Sequence, residues 1–550
     1  MSLKVQAIYP VPGDTARVAR AAYPKGNVYL QMRDVLGTIY TDEDFAELFP
    51  KEGQPAEAPW RLALVTVLQF VENLSDQQAA EAVRGRIDWK YLLGLELTDG
   101  GFDASVLSEF RARLVEHHAE ALLLEKMLTL FGQKGWLKAR GRQRTDSTHV
   151  LAKIRALNRL LCVWETMRAA LESLAVVDPD WLRAHSQAEW VERYGPRCED
   201  SRSPLGEAAR LAFAEEIGQQ GRELLDALFD PTAPQWLRHV PAVEILREVW
   251  VQIDLRIDEV VRWRSSEDIP PPSRYIGSPY DEEAHYSKKR STTWVGYKVH
   301  LTETCEAHLP LVMTHGETTS APVSDDAMTA AIHAELERKA LLPAEHIVDT
   351  GYVDAKLLVE SQRDYQIDLV GPTRKNYHWQ ASQQTGYDAD HFLIDWAQQQ
   401  ATCPEGHTSS SWTPAKDLRK NEVIKIKFST IDCQVCPARS LCTQSSRHTR
   451  RTVTIRPEEQ YQALKQRRAQ ENTKEFQQSY AKRAGIEGTI SQGVRTMGLR
   501  RSRYIGQEKT HLQHLATAAA LNLVRCLAWE RGVPRAQTRR SSFARLYDAA

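Results

Sequence analysis

The sequence predicts a mixed α/β core flanked by helices, with a helical N-terminal part and two insertions, one helical and one rich in cysteine. Three observations predict it. The stretch RGRQRTDSTHVLAK, from Arg140, alternates in polarity and is rich in Thr and Val, a strand pattern. Further on, a hairpin pattern and two short apolar runs, HIVDTG and IDLVGP, alternate with helical patterns, SDDAMTAAIHAELERKA and DAKLLVESQRD. Between these and a long C-terminal helical region lies a polar, strand-rich stretch that holds Cys403, Cys433, Cys436 and Cys442.

A chain of 550 residues exceeds one typical domain, so two to four are expected. No apolar run approaches the roughly 18–20 residues that span a bilayer, and the start, MSLKVQAIYPVPGDTARVAR, lacks an apolar segment. The expected location is the cytoplasm, with no membrane partner. The net charge of −1 conceals an asymmetry. Residues 439–550 hold 22 Lys+Arg against 8 Asp+Glu, a net +14, and the rest of the chain is −15. A basic part of this kind suggests nucleic-acid contact; the bland alternative is a solvated basic helix and tail.

Residues 1–135 read as a helical N-terminal domain and candidate DNA-binding unit. A short helix is predicted near YLQMRDVLG, a second over WRLALVTVLQFVENL, a third behind a Ser75–Gln78 capping box, and a fourth opened by Ser105. A helix-turn-helix variant and a structural bundle fit equally. Residues 136–153 hold the first core strand. Residues 154–290 read as a mainly helical insertion and loop, where Trp164, Trp181, Trp190, Trp236, Trp250 and Trp263 are core anchors. Residues 291–374 resume the core, with Val295, Tyr297, Val299 and Leu301 on one strand face. Residues 375–455 form the Cys-rich part, 456–530 the C-terminal core helices, and 531–550 a basic tail.

Three carboxylates stand out. Asp146 sits inside a strand, where a charge is costly unless paired or metal-bound. Asp349 ends the run HIVD, before Thr350 and Gly351, and strand ends form the ligand crevice of open α/β sheets. Glu487 lies in YAKRAGIEGTISQG, one carboxylate in a basic region with Gly485 and Gly488 at its sides. The bland readings are a turn cap for Asp349 and an ion pair with Arg483 for Glu487. If the Glu487 helix packs beside the sheet, the three converge. Hard oxygen ligands suit Mg²⁺ or Mn²⁺. Two such ions about 3.5–4 Å apart clamp the attacking and leaving oxygens of a phosphodiester displacement.

Cys433-x2-Cys436 has zinc-ligand spacing, with Cys442 following and CPEGH, Cys403 to His407, upstream. Four thiolates, with His407 as a substitute, make a closed structural zinc site without a catalytic role; four buried or loose thiols are the alternative. Trp379 is a candidate for stacking on an extruded base, or partly buried packing. His149, three residues past Asp146 on the same strand, is a candidate phosphate contact or a satisfied core histidine.

RTDSTHV, HIVDTGY and the block from Tyr480 through TISQGVRTMGLRRSRYIGQEKTHLQHLATAAALNLV carry a resemblance. The chain resembles an insertion-sequence DDE transposase with a ribonuclease-H-like catalytic core, over most of its length. One large class has Tyr, two residues, Arg, three residues, Glu, six residues, Lys. Tyr480, Arg483 and Glu487 match; Val494 stands where Lys is expected, with Arg495 next to it. The resemblance implies that Asp146, Asp349 and Glu487 hold two Mg²⁺ (or Mn²⁺) ions, that Arg483 grips a phosphate near the cut, and that Tyr480 positions backbone at the element's end. Arg495, Arg500, Arg501, Arg503 and Lys509 then hold the DNA backbone. It also implies binding of terminal inverted repeats, hydrolysis to a 3′-hydroxyl, strand transfer into target DNA, a homodimer on double-stranded DNA, and a bacterial nucleoid-associated location. Rival readings are a nuclease of the same fold without strand transfer, and a non-catalytic transposase-derived DNA-binding protein. The rival without catalysis would lack a carboxylate, and all three are present.

Overall fold

The computed structural model describes residues 2–535 except 258, 259, 266, 383–385 and 446, and the chain divides into two compact units. The first takes 2–137, 146–323 and 486–535; the second takes 138–145 and 324–485. Most of the expected basic tail, residues 536–550, lies outside the described residues.

The first unit opens with helices Gly13–Ala22, Val28–Leu36, Pro59–Val71, Asp76–Gly85, Ile87–Leu93, Ala104–Glu116 and Leu122–Gln133. The capping box is present: the Gln78 N–H donates to the Ser75 hydroxyl at 3.2 Å, and the Ser75 N–H to the Gln78 side chain at 2.9 Å. The stretch from Ser105 makes two helices rather than one. Asp103, not Ser105, is the cap, and His118, at φ 52°, ends the run in the left-handed region. Helix Pro59–Val71 is buried almost all round, which suits an apolar circumference, and it packs on helix Gln507–Glu530. Each buried Leu, Val or Phe there contributes about 1.5–3 kcal/mol.

Strand β1 (Arg142–Leu151) passes from the second unit into the first at Asp146. Helices Arg159–Val177, Pro179–His185, Trp190–Tyr194, Glu207–Phe229 and Pro241–Ile253 follow. Trp164, Trp190 and Trp250 are buried in their shared core, with Trp181 and Trp263 against it; Trp236 is half exposed, outside that role. A hairpin, β2 (Asp254–Ile257) and β3 (Val260–Trp263), closes this part. Strands β4 (His285–Lys289), β5 (Thr292–Thr304) and β6 (Met313–Ser320) are antiparallel, and β5 also neighbours β1. Strand β4, HYSKK, lies in the stretch whose pattern predicts a loop. Strand β5 is buried on both faces: His300 and Thr302 are as enclosed as Tyr297, Val299 and Leu301, and Lys298 nearly so. Helix Gln507–Glu530 covers β6 and β5. Gly296, at φ 146°, lies so close to β1 that a Cβ there would overlap the Val150 carbonyl.

In the second unit, β1 pairs in parallel with β7 (Glu345–Ile347), and β7 with β8 (Asp368–Val370). Helices Asp326–Arg338 and Ala355–Tyr365 pack over Ile332, Leu336, Val348, Tyr352, Leu358 and Leu369. The cysteine-bearing stretch forms a hairpin, β9 (Leu393–Asp395) and β10 (Gln400–Thr402). It continues into an antiparallel sheet of β11 (Ser409–Lys416), β12 (Glu422–Phe428) and β13 (Thr452–Ile455). The expected single helix after residue 456 is two, Glu458–Glu471 and Lys474–Ala481, because Thr473 caps the second through the Phe476 N–H at 3.2 Å. Among the described residues, no helix is long and apolar enough to cross a membrane.

Candidate active site

Asp146 is half-buried on β1, and its Oδ1 accepts the Ser147 N–H at 2.8 Å. Glu487 is exposed in the first turn of helix Ala484–Thr496, where a carboxylate is favoured by the helix dipole. Two clamps hold β1 to the segments at either end of that helix. In the second unit, the Arg144 guanidinium donates to the Lys482 carbonyl and lies over Gly485, where any Cβ would collide with it. In the first unit, Arg500 Nε donates to Thr148 Oγ1 at 2.7 Å. There the Leu151 N–H donates to the Arg500 carbonyl at 2.8 Å and the Ser502 N–H to the Leu151 carbonyl at 2.9 Å. Each contact lies within one unit: Arg144 with Lys482 in the second, Thr148 and Leu151 with Arg500 and Ser502 in the first. Gly485 is glycine because Arg144 passes there; Gly488 has nothing within 4 Å of a would-be Cβ.

Asp349 stands two residues past Ile347, the last β7 residue, whose parallel partner is Arg144. Its Oδ1 accepts the Gly351 N–H at 2.8 Å and caps the turn Thr350–Tyr352. Thus the turn-cap role is real and leaves the other oxygen, Oδ2, for further contacts. The space over Gly351 is approached by Asp349 Oδ1, at 2.8 Å from an ideal Cβ position, and by Asp325 Oδ2 at 3.1 Å. Asp325 carries no signal of its own in the sequence, because in SDDAMT it has the form of an ordinary helix start. Nearby, Arg374 Nη2 donates to Asp326 Oδ2 at 2.8 Å.

The cations divide into two groups. Arg495, Arg501 and Lys509 are exposed, and no ion pair engages them among the described residues. Val494 is half-buried, so the exposed cation of this pair is Arg495. Arg500 is engaged with Thr148. Arg503 is built into the fold: it donates to the Leu74 carbonyl and to Asn73 Oδ1, each at 2.6 Å, and lies 4.6 Å from the centre of the Phe70 ring. Burial pushes its pKa below the usual arginine value. Tyr480 and Phe476 stack with centroids 5.9 Å apart, and both Tyr480 and Arg483 are half-buried. Trp379 is half-buried, its ring close beside Gly386, whereas Tyr377 is 83% exposed. The freely presented ring of this segment is therefore Tyr377, which the sequence reading did not single out. His149 packs on Trp294 with ring centres 5.5 Å apart, and its pKa is lowered by burial, then by Arg500 and Lys289.

Cys403, Cys433, Cys436 and Cys442 border one cavity together with His407. The His407 N–H points at Cys403 Sγ, 3.4 Å away, and burial with the neighbouring thiols raises the Cys442 pKa to about 11. Among the described residues, however, no three Cys, His, Asp or Glu side chains are arranged to hold a metal ion, so the thiols as placed do not close a zinc site.

Residues 402–527 match the family described as Transposase DDE domain, and residues 17–113 match the Transposase domain (DUF772). The first match includes Glu487 and the cysteines but not Asp146 or Asp349; the second covers most of the N-terminal helices. No curated protein matches the chain.

Proposed function

Because the chain is an insertion-sequence DDE transposase, we propose that it binds the terminal inverted repeats of its own element, cuts phosphodiester bonds there, and joins the 3′-hydroxyl ends to target DNA. The observation that carries this reading is the pair of clamps, Arg144 on Lys482 and Arg500 on Thr148, which tie the Asp146 strand to both ends of the Glu487 helix.

Asp146, Asp349 and Glu487 are the residues that would hold divalent cations. Their fit is one of donor type, carboxylate oxygens on half-buried and exposed side chains, the class that Mg²⁺ and Mn²⁺ take; among the described residues no three such side chains are grouped to hold an ion. When bound, a pair of such ions neutralises the charge that develops on the attacking and leaving oxygens. The remaining work falls to the chain. Arg483 holds a phosphate near the cut, Tyr480 supports the backbone beside it, and Arg495, Arg501 and Lys509 present free cations to neighbouring phosphates. Arg500 and Arg503 act chiefly by positioning, since both are engaged within the protein. The protein works as a homodimer on DNA, because two element ends must be joined, and it resides on the nucleoid.

A structural zinc ion at Cys403, Cys433, Cys436 and Cys442 belongs to the same reading. Its support is the CxxC spacing and the shared cavity alone, since the thiols as placed do not close a metal site. Metal analysis of the purified chain tests it: one zinc per chain is expected, and none would remove it.

The test of function is a joining assay. Purified protein is incubated with Mg²⁺, a labelled fragment of DNA flanking the gene, and a supercoiled target plasmid. Covalent transfer of the label to the plasmid through a 3′-hydroxyl is expected. Cleavage without transfer would make the protein a nuclease.

A further inference from the structure

We propose that the outer face of the β11–β12–β13 sheet is a contact surface for double-stranded DNA that grips the phosphate backbone. The inference rests on the transposase reading for its choice of partner.

The register defines the face. Lys425 lies opposite Thr413 on one side and Thr454 on the other, and Lys427 opposite Ser411 and Thr452. All six are exposed or half-exposed. The alternate positions Trp412, Ile424, Ile426, Val453 and Ile455 pack into the core beneath. On the same face Val423 is buried and Ala415 half-buried, so the exposed part ends there toward the hairpin turn. Burial explains one side of this sheet, and nothing in the fold requires a row of lysines and hydroxyls on the other.

The hairpin as a whole is basic, with Lys425 and Lys427 on the outer face. Ser409–Phe428 holds five cations, Lys416, Arg419, Lys420, Lys425 and Lys427, against two carboxylates, Asp417 and Glu422. None of the five is in an ion pair among the described residues. Asp417 is occupied by the turn, accepting the N–H groups of Arg419 at 2.8 Å and Asn421 at 2.9 Å.

The donor set names the partner. Lys, Ser and Thr are the side chains that bond phosphate oxygens and sugars without reading sequence. The six positions carry no aromatic ring, so the face offers no platform for the unstacked bases of a single strand. They carry no large apolar side chain either, so the face lacks the anchor of a protein interface. A polyanionic duplex backbone is what remains, and it extends the protein's grip on DNA beyond the residues around Glu487.

The experiment measures binding of the full-length protein to a linear duplex that lacks the element's ends, at salt concentrations from about 50 to 200 mM. Each phosphate contact contributes about 0.9 to the slope of log affinity against log salt. The double variant K425Q/K427Q is expected to lower the slope by about 1.8, with K425R/K427R unchanged. As a measurement independent of any variant, the duplex should slow chemical acetylation of Lys425 and Lys427 in the wild type. An unchanged slope in K425Q/K427Q, or acetylation of both lysines at the free rate in the complex, overturns the proposal alone. A wild type that binds no duplex at all overturns it together with the transposase reading.

Discussion

Arg525 donates to Glu303 at 2.8 Å, and the Glu303 side chain has no exposed surface. Thr489 completes the group. Its hydroxyl donates to the same carboxylate oxygen at 2.7 Å and accepts from Arg525 at 2.7 Å, while Arg525 Nε donates to Gln492 at 3.0 Å. This network fastens helix Ala484–Thr496, two residues past Glu487, to the enclosed strand β5. Removing one partner leaves a buried charge, so Arg525→Ala or Glu303→Ala should each cost about 3–5 kcal/mol. The double variant E303M/R525M should cost less than either, since it removes both charges together. Urea unfolding of the three variants checks this; strictly additive losses would contradict it.

Gly485 and Gly488 are predicted to answer differently to the same change. A methyl group at Gly485 must displace the Arg144 guanidinium from the Lys482 carbonyl, so G485A should destabilise by about 1–3 kcal/mol and weaken DNA cleavage. G488A meets no neighbour and sits inside a helix, so it should stabilise by about 0.5–1 kcal/mol. Thermal melts of both proteins decide it, and equal responses would remove the packing role assigned to Gly485.

A buried chain of hydrogen bonds sets a pH limit. Thr145 meets His346 at 2.6 Å, and His346 meets His333 at 2.8 Å. Burial lowers the His333 pKa from 6.5 to about 4. The folded protein keeps this ring neutral while the unfolded chain protonates it below 6.5. Its contribution is therefore fully present above that value and is lost as pH falls from 6.5 toward 4. The lowered pKa corresponds to about 3 kcal/mol at most. Urea unfolding of the wild type should show falling stability between pH 7 and 5, with a shallower fall in His333→Gln.

The legible parts of the sequence are those where one local pattern decides the outcome. The alternation of RTDSTHV gave β1, and Ser75 with Gln78 gave a helix start, because each depends on residues within one turn or one pleat. The exposed edge strand HYSKK carries no apolar alternation, so β4 had no signal. Strand β5 is enclosed on both faces, and the burial of its polar face, Lys298, His300 and Thr302, is hidden from a period-two count. The carboxylates were found by local oddity and a family signature, since Asp146, Asp349 and Glu487 lie 203 and 138 residues apart. Arg503 was read by charge alone; its burial over Phe70 depends on a helix more than 400 residues earlier.

The most direct test of the central claim is cleavage of end-labelled DNA flanking the gene by the wild type and by Asp146→Asn, Asp349→Asn and Glu487→Gln. The account predicts Mg²⁺-dependent breaks at defined positions for the wild type. It predicts none for the three variants, each of which still binds the DNA. Cleavage at the wild-type rate by any one of them would contradict the role given to that carboxylate.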